Sequence, residues 1–153
     1  MMLSFRSMTT ADLPCISRLE KSAGPYPWNT QHFQDSLKSG HCCKVALKKG
    51  EIIGHGVIMT IMDESHLLIL SIDKSYQGQG IGKALLRHLI EEAAAQSAST
   101  LFLEVRDSNE KAFQLYLNEG FNEVGRRKDY YPAKEKREDA IVMALDLDAY
   151  QEY

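Results

Sequence analysis

Hydrophobic positions along the chain recur with two different periods, which predicts a mixture of helices and strands. Apolar side chains three and four residues apart indicate four helices, each with polar residues on the opposite side. These helices are predicted to follow Thr9, Asn29, the glycine-rich segment ending at Gly82, and Ser108. Thr9 with Asp12 resembles a capping box, Ser108 is a candidate N-cap, and Gly120 is a candidate stop for the last helix.

Short apolar or alternating runs predict the strands, which cover residues 3–6, 44–47, 52–62, 67–72, 100–105, 121–125 and 140–145. Residues 48–51, 63–65 and 131–134 carry turn patterns, the first of them typical of a hairpin. The run over residues 67–72 is apolar on both faces, as in a strand buried within a sheet. Strands and helices mingle along the chain, which predicts an α/β or α+β fold around a mixed sheet.

A glycine-rich segment, Gln77-Gly78-Gln79-Gly80-Ile81-Gly82, separates the run over residues 67–72 from the third helix. Glycines let a ligand approach the backbone, and the first N–H groups of a helix have no intrahelical partner, so this arrangement favours an anion site such as one for pyrophosphate. A plain turn remains the alternative. Ala84 stands where a nucleotide-hydrolase loop needs Ser or Thr, and the glycine spacing differs from the dinucleotide-binding fingerprint.

Length and composition predict one ordinary globular domain over residues 1–153, with no repeats or linkers. A formal charge of −3 gives no reason to expect nucleic-acid or membrane binding as the main activity. Six basic residues nevertheless crowd together, namely Arg126, Arg127, Lys128, Lys134, Lys136 and Arg137. This basic segment is either a solvated loop or a docking patch for an acidic or RNA-containing partner, and the sequence leaves both open.

Cysteine usage and the apolar runs exclude several classes of protein. Cys15, Cys42 and Cys43 have neither disulfide-framework nor metal-ligand spacing, so no metal is expected. No run approaches the ~20 apolar residues of a membrane span, and no basic, apolar leader begins the chain. We therefore expect a cytoplasmic protein. A nucleophilic pairing of Cys42 or Cys43 with His66 is possible by residue type, but no spacing supports it.

Three polar features are candidates for chemistry. Glu104 interrupts the apolar strand over residues 101–105, and alternation places it opposite Leu101 and Leu103, either facing solvent or as a base lining a cleft. Asn109 and Tyr116 lie seven residues apart and so share a helix face; the tyrosine could be core or a general acid. Tyr130 and Tyr131 are assigned to a turn before Pro132, where they could simply pack the last hairpin.

The ordered set of motifs resembles a known family. Gln77-x-x-Gly80-x-Gly82 matches the Gln/Arg-x-x-Gly-x-Gly/Ala signature of the GNAT acetyltransferases, and Ser108-Asn109 with Tyr116-x-x-x-Gly120-Phe121 fits the same superfamily. Within it, the chain resembles the bacterial ribosomal-protein-alanine N-acetyltransferases at Pro27-Trp28-Asn29, Leu103-Glu104-Val105-Arg106, Tyr130-Tyr131-Pro132 and Arg137-Glu138-Asp139-Ala140. The resemblance covers essentially the whole chain.

The resemblance implies a mixed sheet of about seven strands with about four helices, whose fourth and fifth strands separate to hold acetyl-CoA. It implies that Glu104 is the general base and Tyr116 the general acid. The implied acetyl-CoA contacts are Leu70, Ser71, Ile72, Gln77, Gly78, Gln79, Gly80, Ile81, Gly82, Lys83 and Asn109. Trp28, Tyr130 and Tyr131 would border the acceptor site. Lys74 replaces a proline that relatives often carry, which removes only a turn stiffener.

The implied reaction is direct transfer of acetyl from acetyl-CoA to the N-terminal α-amino group of a protein, namely alanine of a small-subunit ribosomal protein. It needs no metal and no direct nucleic-acid contact, and a monomer or weak dimer is expected. A lysine or small-amine acetyltransferase on the same fold is the nearest alternative. A non-catalytic acyl-CoA-binding regulator is another, although it would not need both Glu104 and Tyr116.

Overall fold

A computed structural model describes residues 2–150 and contains the predicted mixed sheet of seven strands, with four α-helices. The strands are β1 (Leu3–Ser7), β2 (Cys42–Lys48), β3 (Glu51–Ile61), β4 (Glu64–Ile72), β5 (Thr100–Arg106), β6 (Asn122–Tyr131) and β7 (Glu138–Asp146). The helices are α1 (Leu13–Ala23), α2 (Thr30–Lys38), α3 (Ile81–Ala95) and α4 (Glu110–Asn118), with 3₁₀ turns at Thr10–Asp12 and Lys74–Tyr76. Strand order is β1-β2-β3-β4-β5-β7-β6.

The chain forms two compact units, the first comprising residues 2–59 and 68–92. β1, β2 and β3 run antiparallel, and the predicted hairpin joins β2 to β3. Its tip adopts positive φ at Lys49 (51°) and Gly50 (78°), which suits the twist of the two strands. A buried cluster packs α1 and α2 onto this part of the sheet, and it includes Leu13, Ile16, Phe33, Val45 and Val57.

Helix α3 presents the predicted apolar face, with Leu85, Leu86, Leu89 and Ile90 all buried. Two glycines of β3 lie beneath it. A Cβ at Gly56 would lie 2.5 Å from Cδ1 of Leu89, and one at Gly54 would lie 3.1 Å from the backbone oxygen of Ser71. Because no side chain fills these places, β3 can approach both α3 and β4 closely.

The second unit comprises residues 60–67 and 93–150. The first part of β4 pairs in parallel with β5 over four positions, from Glu64–Thr100 to Leu67–Leu103, and β5, β7 and β6 follow in antiparallel order. Along β5, Leu101, Leu103 and Val105 are buried while Glu104 is half-buried, so the predicted alternation is confirmed. Helix α4 ends at Asn118, and Gly120 adopts φ of 108° as the predicted stop.

Strand β6 lies at one edge of the sheet and is exposed along almost its whole length. Its register with β7 shifts twice, between Glu123 and Gly125 and again between Arg127 and Tyr131. At the second shift Asp129 adopts a positive φ of 52°. The strand is therefore bulged rather than straight where its two tyrosines lie.

Four local predictions were wrong. Asn109, not Ser108, caps α4, because its side chain accepts a hydrogen bond from the N–H of Ala112. Tyr130 and Tyr131 lie within β6, because the bulge lets the ladder reach Glu138. The turn before β4 is at Met62 and Asp63, with Glu64 already in the strand. Residues 68–72 of β4 are half-buried, not buried.

Candidate active site

The glycine-rich segment follows β4 in the first unit and leads directly into α3. Gly78 and Gly80 adopt φ of 77° and 82°, and a Cβ built on either would meet no atom within 4 Å. Helix α3 begins at Ile81, and the N–H of Ala84 donates to the carbonyl of Gly80. The N–H groups of Ile81, Gly82 and Lys83 therefore belong to the first turn, which has no intrahelical acceptors for them. Open space before a helix N-terminus is a cradle that fits a phosphate group.

The side chain of Gln77 anchors this loop through two hydrogen bonds. Its Nε2 donates to the carbonyl of Ile72 at 3.0 Å and to that of Ala23 at 3.3 Å, so the side chain joins the end of β4 to the end of α1. Gln79, two residues on, is exposed. The structure therefore gives the Gln77 side chain a role in fixing the loop, while a ligand role for it stays a prediction.

A cleft of about 510 Å³ adjoins the loop and is lined by Phe5, Gly80, Lys83, Arg87 and His88 among others. Phe5 and His88 stack with ring centroids 4.5 Å apart. Burial lowers the pKa of the His88 imidazole, with Lys44 also lowering it against Glu92 and Glu91. Lys83 and Arg87 supply positive charge at a place suited to a phosphate-rich ligand.

Leu70, Ser71 and Ile72 form the end of β4, beyond the ladder that joins β4 to β5. Their side chains are half-buried. The carbonyl of Ile72 already accepts from Gln77, and the next residue, Asp73, donates its N–H to the carbonyl of Ile53 at 2.8 Å. The strand end is thus fixed on the β3 side.

Glu104 lies in the second unit, on the half-buried face of β5. Nε of Arg127 lies 2.7 Å from its Oε2, and the Glu104 side chain is 31% exposed while that of Arg127 is 60% exposed. Oε2 is itself buried and accepts no aligned hydrogen bond from the described residues. The contact is therefore an ion pair whose N–H does not point along the N···O line.

Tyr116 is buried on α4, where its ring meets Phe121 edge-on at 5.6 Å. Burial raises the pKa of its phenol well above the ordinary value, and the neighbouring Tyr131 raises it further. The phenol therefore keeps its proton throughout the neutral range.

Tyr130 and Tyr131 meet edge-on at 5.0 Å near the end of β6. The guanidinium of Arg106 lies 4.4 Å from the Tyr131 ring centre, and that of Arg127 lies 5.4 Å from the Tyr130 ring centre. Burial raises the pKa of Tyr131 to about 12, with Glu104 and Tyr130 raising it further and Arg106 lowering it.

These interactions bring several predicted site residues together within the second unit. Tyr131 interacts electrostatically with both Glu104 and Tyr116, so the predicted base, the predicted acid and one predicted acceptor residue share a neighbourhood. Asn109 is the N-cap that precedes α4, whereas Tyr116 lies within the helix. Oδ1 of Asn109 lies 3.3 Å from the N–H of Ala112, which occupies one of the polar atoms that a ligand contact would use.

Trp28 lies in the first unit, just before α2, packed against Phe33 at 5.2 Å. Its backbone N–H donates to Oε2 of Glu20 at 2.9 Å, and Oε1 of the same carboxylate lies 2.9 Å from Nε2 of His55. Glu20 and His55 are both buried, and sequence reasoning missed them. A signal was present, since His55 is a polar residue in the middle of an apolar strand and stands between two glycines.

Burial opposes the ionisation of Glu20, but the hydrogen bond and charge of His55, with the Trp28 N–H and the Ser71 side chain, outweigh it and lower the pKa of the carboxyl. The carboxylate form is therefore the one that these partners hold.

The basic segment is largely committed to neighbouring groups. Arg126 pairs with Asp107 at 3.2 Å, Arg127 with Glu104, and Arg137 donates to the carbonyls of Asp129 and Tyr130 at 2.7 Å each. Lys128, Lys134 and Lys136 are exposed. All six basic residues are thus exposed, and the arginines also bind neighbouring groups of the β6–β7 region.

Cys42 and Cys43 do not have the properties of nucleophiles. Burial raises the pKa of Cys43 to about 11, and Cys42 raises it further. Burial and Glu92 likewise raise the pKa of Cys42 against an opposing effect of Lys44. A reactive cysteine needs a lowered pKa. Among residues 2–150 no cluster of His, Cys, Asp and Glu side chains could hold a metal ion, and no helix there is long and apolar enough to cross a membrane.

Comparisons with known proteins give one consistent result. Residues 13–121 match the model of the acetyltransferase (GNAT) family. The [ribosomal protein bS18]-alanine N-acetyltransferase of Escherichia coli K12 is 38% identical over 146 residues, covering 95% of this chain and 99% of the relative. The protein of the same name from Haemophilus influenzae is 37% identical over 137 residues, covering 89% and 93%.

A solved structure agrees with the sequence relatives. The crystal structure of the ribosomal-protein-S18-alanine N-acetyltransferase from E. coli matches with a TM-score of 0.89 at 38% identity, covering 95% of this chain and 94% of that one. Arabidopsis thaliana NAA60, solved with a bisubstrate analogue, matches with a TM-score of 0.84 at 18% identity over 95% of this chain and 98% of that one, which shows the fold alone.

Proposed function

Because the chain belongs to the GNAT acetyltransferase family, we propose that it transfers acetyl from acetyl-CoA to the free α-amino group of a protein N-terminus. The proposed acceptor is the N-terminal alanine of the small-subunit ribosomal protein S18. One observation carries this acceptor: relatives named for that reaction are up to 38% identical over 95% of the chain, with nearly their whole length covered.

The open cradle at Gly78 and Gly80 supports a proposed site for the pyrophosphate of acetyl-CoA. The backbone N–H groups of the first turn of α3, from Ile81 to Lys83, would bind it, and positive φ at both glycines keeps side chains out of the space. Backbone groups of Leu70, Ser71 and Ile72 are proposed to hold the pantetheine and acetyl part. Gln79 and Asn109 complete the proposed set, and Gln77 keeps the loop in place. Acetyl-CoA supplies an activated thioester that an amine can attack.

Glu104 is proposed to accept a proton from the attacking amine. An α-amino group has a pKa of about 8, so it is already close to its neutral form, and a carboxylate can take the remaining proton directly or through a water. The ion pair with Arg127 supports this role because it holds the carboxylate in one orientation. Since no covalent enzyme intermediate is needed, the high pKa values of Cys42 and Cys43 are compatible with the reaction.

Tyr116 is proposed to supply the proton that the leaving sulfur requires. Its raised pKa means that the phenol is protonated at the start of each turnover, as a general acid must be. The electrostatic link through Tyr131 supports a shared setting for acid and base.

Trp28, Tyr130 and Tyr131 are proposed to contact the acceptor peptide. Tyr130 is 43% exposed, and Trp28 and Tyr131 are half-buried, so each offers an aromatic surface that water still reaches. Aromatic side chains of this kind supply contact area at a low cost in side-chain entropy.

The deciding experiment uses three peptides that share the N-terminal sequence of S18 and contain a lysine. The first has a free N-terminal alanine, the second a chemically blocked N-terminus, and the third a free N-terminal leucine. We expect CoA release with the first, none with the second and a much lower kcat/KM with the third. Efficient turnover of the blocked peptide would instead make the chain a lysine acetyltransferase of the same family.

A further inference from the structure

Glu20 is a buried carboxylate near the end of α1, and three other segments of the first unit meet it. Oε2 of Glu20 accepts from the backbone N–H of Trp28 at 2.9 Å. Oε1 lies 2.9 Å from Nε2 of His55 on β3. The Ser71 side chain on β4 is a further hydrogen-bonding neighbour. With only 4% of Glu20 exposed, one side chain therefore joins α1, β3, β4 and the segment before α2 away from solvent.

Stability alone does not account for this arrangement. Burying a carboxylate costs the free energy of removing its charge from water, and apolar side chains of similar volume often stabilise a fold better than buried charged groups do. Here the Glu20–His55 pair also leaves Nδ1 of His55 buried without a hydrogen bond from the described residues. What the carboxylate provides, and an apolar side chain cannot, is a fixed acceptor for the Trp28 N–H.

The end of α1 has a second tie, to the glycine-rich segment. The carbonyl of Ala23 accepts from Nε2 of Gln77 at 3.3 Å, and the same amide donates to Ile72 at the end of β4. Residues 24–27, between α1 and Trp28, are exposed. The connection between α1 and α2 is thus flanked by two hydrogen bonds. Ala23, where α1 ends, accepts from Gln77, and Trp28, just before α2, donates its backbone N–H to Glu20.

We propose that Glu20 is a positioning residue for acetyl transfer, which fixes Trp28 relative to Ser71 at the end of β4. The proposal rests on the proposed function, which assigns Trp28 to the acceptor peptide and Ser71 to acetyl-CoA. Misplacement of a reacting group by about 1 Å can cost about 100-fold in rate, so a fixed separation between the two binding elements has kinetic value. Glu20 acts through its hydrogen bonds and does not contact the reacting atoms.

Trp28 is the only tryptophan, so fluorescence reports on the surroundings of the ring whose backbone N–H makes this contact. Glu20→Met fills the space but lacks an acceptor, and we expect a red-shifted emission with stronger acrylamide quenching. Glu20→Gln keeps an oxygen for the Trp28 N–H and should retain the parent emission. Asp12→Ala is the matched control, because Asp12 is also buried in the first unit and accepts from a backbone N–H, that of Thr9 at 2.8 Å. Unchanged emission in Glu20→Met overturns the proposal.

Kinetics test whether the position of Trp28 matters to the reaction. We expect Glu20→Met to raise the peptide KM by about tenfold and the acetyl-CoA KM by less than about threefold, with Glu20→Gln close to the parent enzyme. Equal rises in both KM values, or the same split in Asp12→Ala, would show a merely structural role and overturn the proposal.

Failure of the proposed function is distinguishable from failure of this inference. Parent enzyme that is inactive on a free N-terminal alanine peptide contradicts the proposed function, whereas the fluorescence still decides whether Glu20 positions Trp28. Should Glu20→Met fail to fold, amide hydrogen exchange in the parent enzyme replaces it. We expect the Trp28 amide to be protected, and exchange at the rate of an unstructured peptide overturns the proposal.

Discussion

Arg127 reaches across β7 to Glu104, placing its Nε 2.7 Å from Oε2 of that carboxylate. The register explains how: Glu104 pairs with Val142 on β7, and Arg127 pairs with Ala140 two residues away on the same face. With Arg127 60% exposed, the pair adds at most about 1 kcal/mol to stability. Its effect is to orient the carboxylate.

Replacing Glu104 by Gln should lower kcat by about 100-fold or more, because the amide cannot accept the proton of the amine. The loss should be largest below about pH 7, where the α-amino group is mostly protonated. Acetyl-CoA binding should not change. Steady-state kinetics from pH 6 to pH 9 provide the measurement, with Glu123→Gln on exposed β6 as the control; coincident pH–rate profiles would remove Glu104 from the role of base.

Replacing Gly80 by Ala should weaken acetyl-CoA binding by about tenfold or more, because a Cβ would enter the space before the first turn of α3. Gly50→Ala is a matched control, since its φ of +78° is close to the +82° of Gly80 and its surroundings are equally open. Both changes should cost about 1 kcal/mol of stability through backbone strain. Calorimetric titration with acetyl-CoA measures the affinity of each variant and so distinguishes a binding effect from a loss of stability. Equal affinities for the two variants would place the pyrophosphate elsewhere.

Replacing Tyr131 by Ala should raise the peptide KM by about tenfold while leaving the acetyl-CoA KM within about threefold, because the ring and its contact with Arg106 border the proposed acceptor site. Lys128→Ala, at an exposed position of the same strand, controls for general effects on β6. A larger rise in the acetyl-CoA KM than in the peptide KM would indicate that Tyr131 contacts acetyl-CoA rather than the peptide.

Two of the seven tyrosines should resist ionisation in the folded protein. Burial raises the pKa of Tyr131 to about 12 and also raises that of Tyr116, so both should remain largely protonated at pH 11. Since the folded pKa lies above the unfolded value of about 10, the stabilisation is complete below pH 10 and is lost as pH rises through 12. Absorbance near 295 nm at pH 11 should rise by at least two tyrosinates on denaturation, and by one fewer in Tyr131→Phe than in the parent protein. Full ionisation before denaturation would contradict the burial of both phenols.

The Arg6–Asp12 pair should make the fold sensitive to acid. The hydrogen bond from Arg6 lowers the pKa of Asp12 from 3.8 to about 2, against burial. A lowered folded pKa contributes stability above about pH 4 that is lost as pH falls towards 2. Because Arg6 is 45% exposed and screened by water, we expect Asp12→Asn to lower the free energy of unfolding by about 1 kcal/mol at pH 5. Urea titrations should show the two proteins converging near pH 2; a constant difference would assign the effect to packing.

Most of the fold could be predicted from the sequence, because most elements bury a face that their pattern of apolar residues displays. The alternation around Glu104 on β5 and the apolar stripe of α3 are examples that the structure confirms. Local polar contacts were harder to predict from the sequence. Ser108 and Asn109 are both good caps by residue type, and only the backbone geometry selects Asn109. Tyr131 was assigned to a turn because a bulge in β6 leaves no clear mark in the sequence.

Within the candidate site, sequence could nominate side chains but not their partners. Arg127 was a member of a basic segment, and nothing along the chain links it to Glu104, 23 residues earlier. Glu20 lies on the apolar face of α1, seven residues after Leu13 and four after Ile16, and its partner there, His55, comes from a distant strand. Long-range pairing of this kind is a property of the folded chain, so a single sequence cannot display it.

The bulged edge strand β6 has a consequence for behaviour at high concentration. A straight, exposed edge offers unpaired backbone groups to any other strand, which is how aggregates and fibrils begin. An incoming strand cannot form a continuous ladder with β6, because the register of β6 breaks twice. The strand also carries five charged residues, namely Glu123, Arg126, Arg127, Lys128 and Asp129. The bulge beside Tyr130 and Tyr131 therefore also makes this exposed edge a poor template for strands of other molecules.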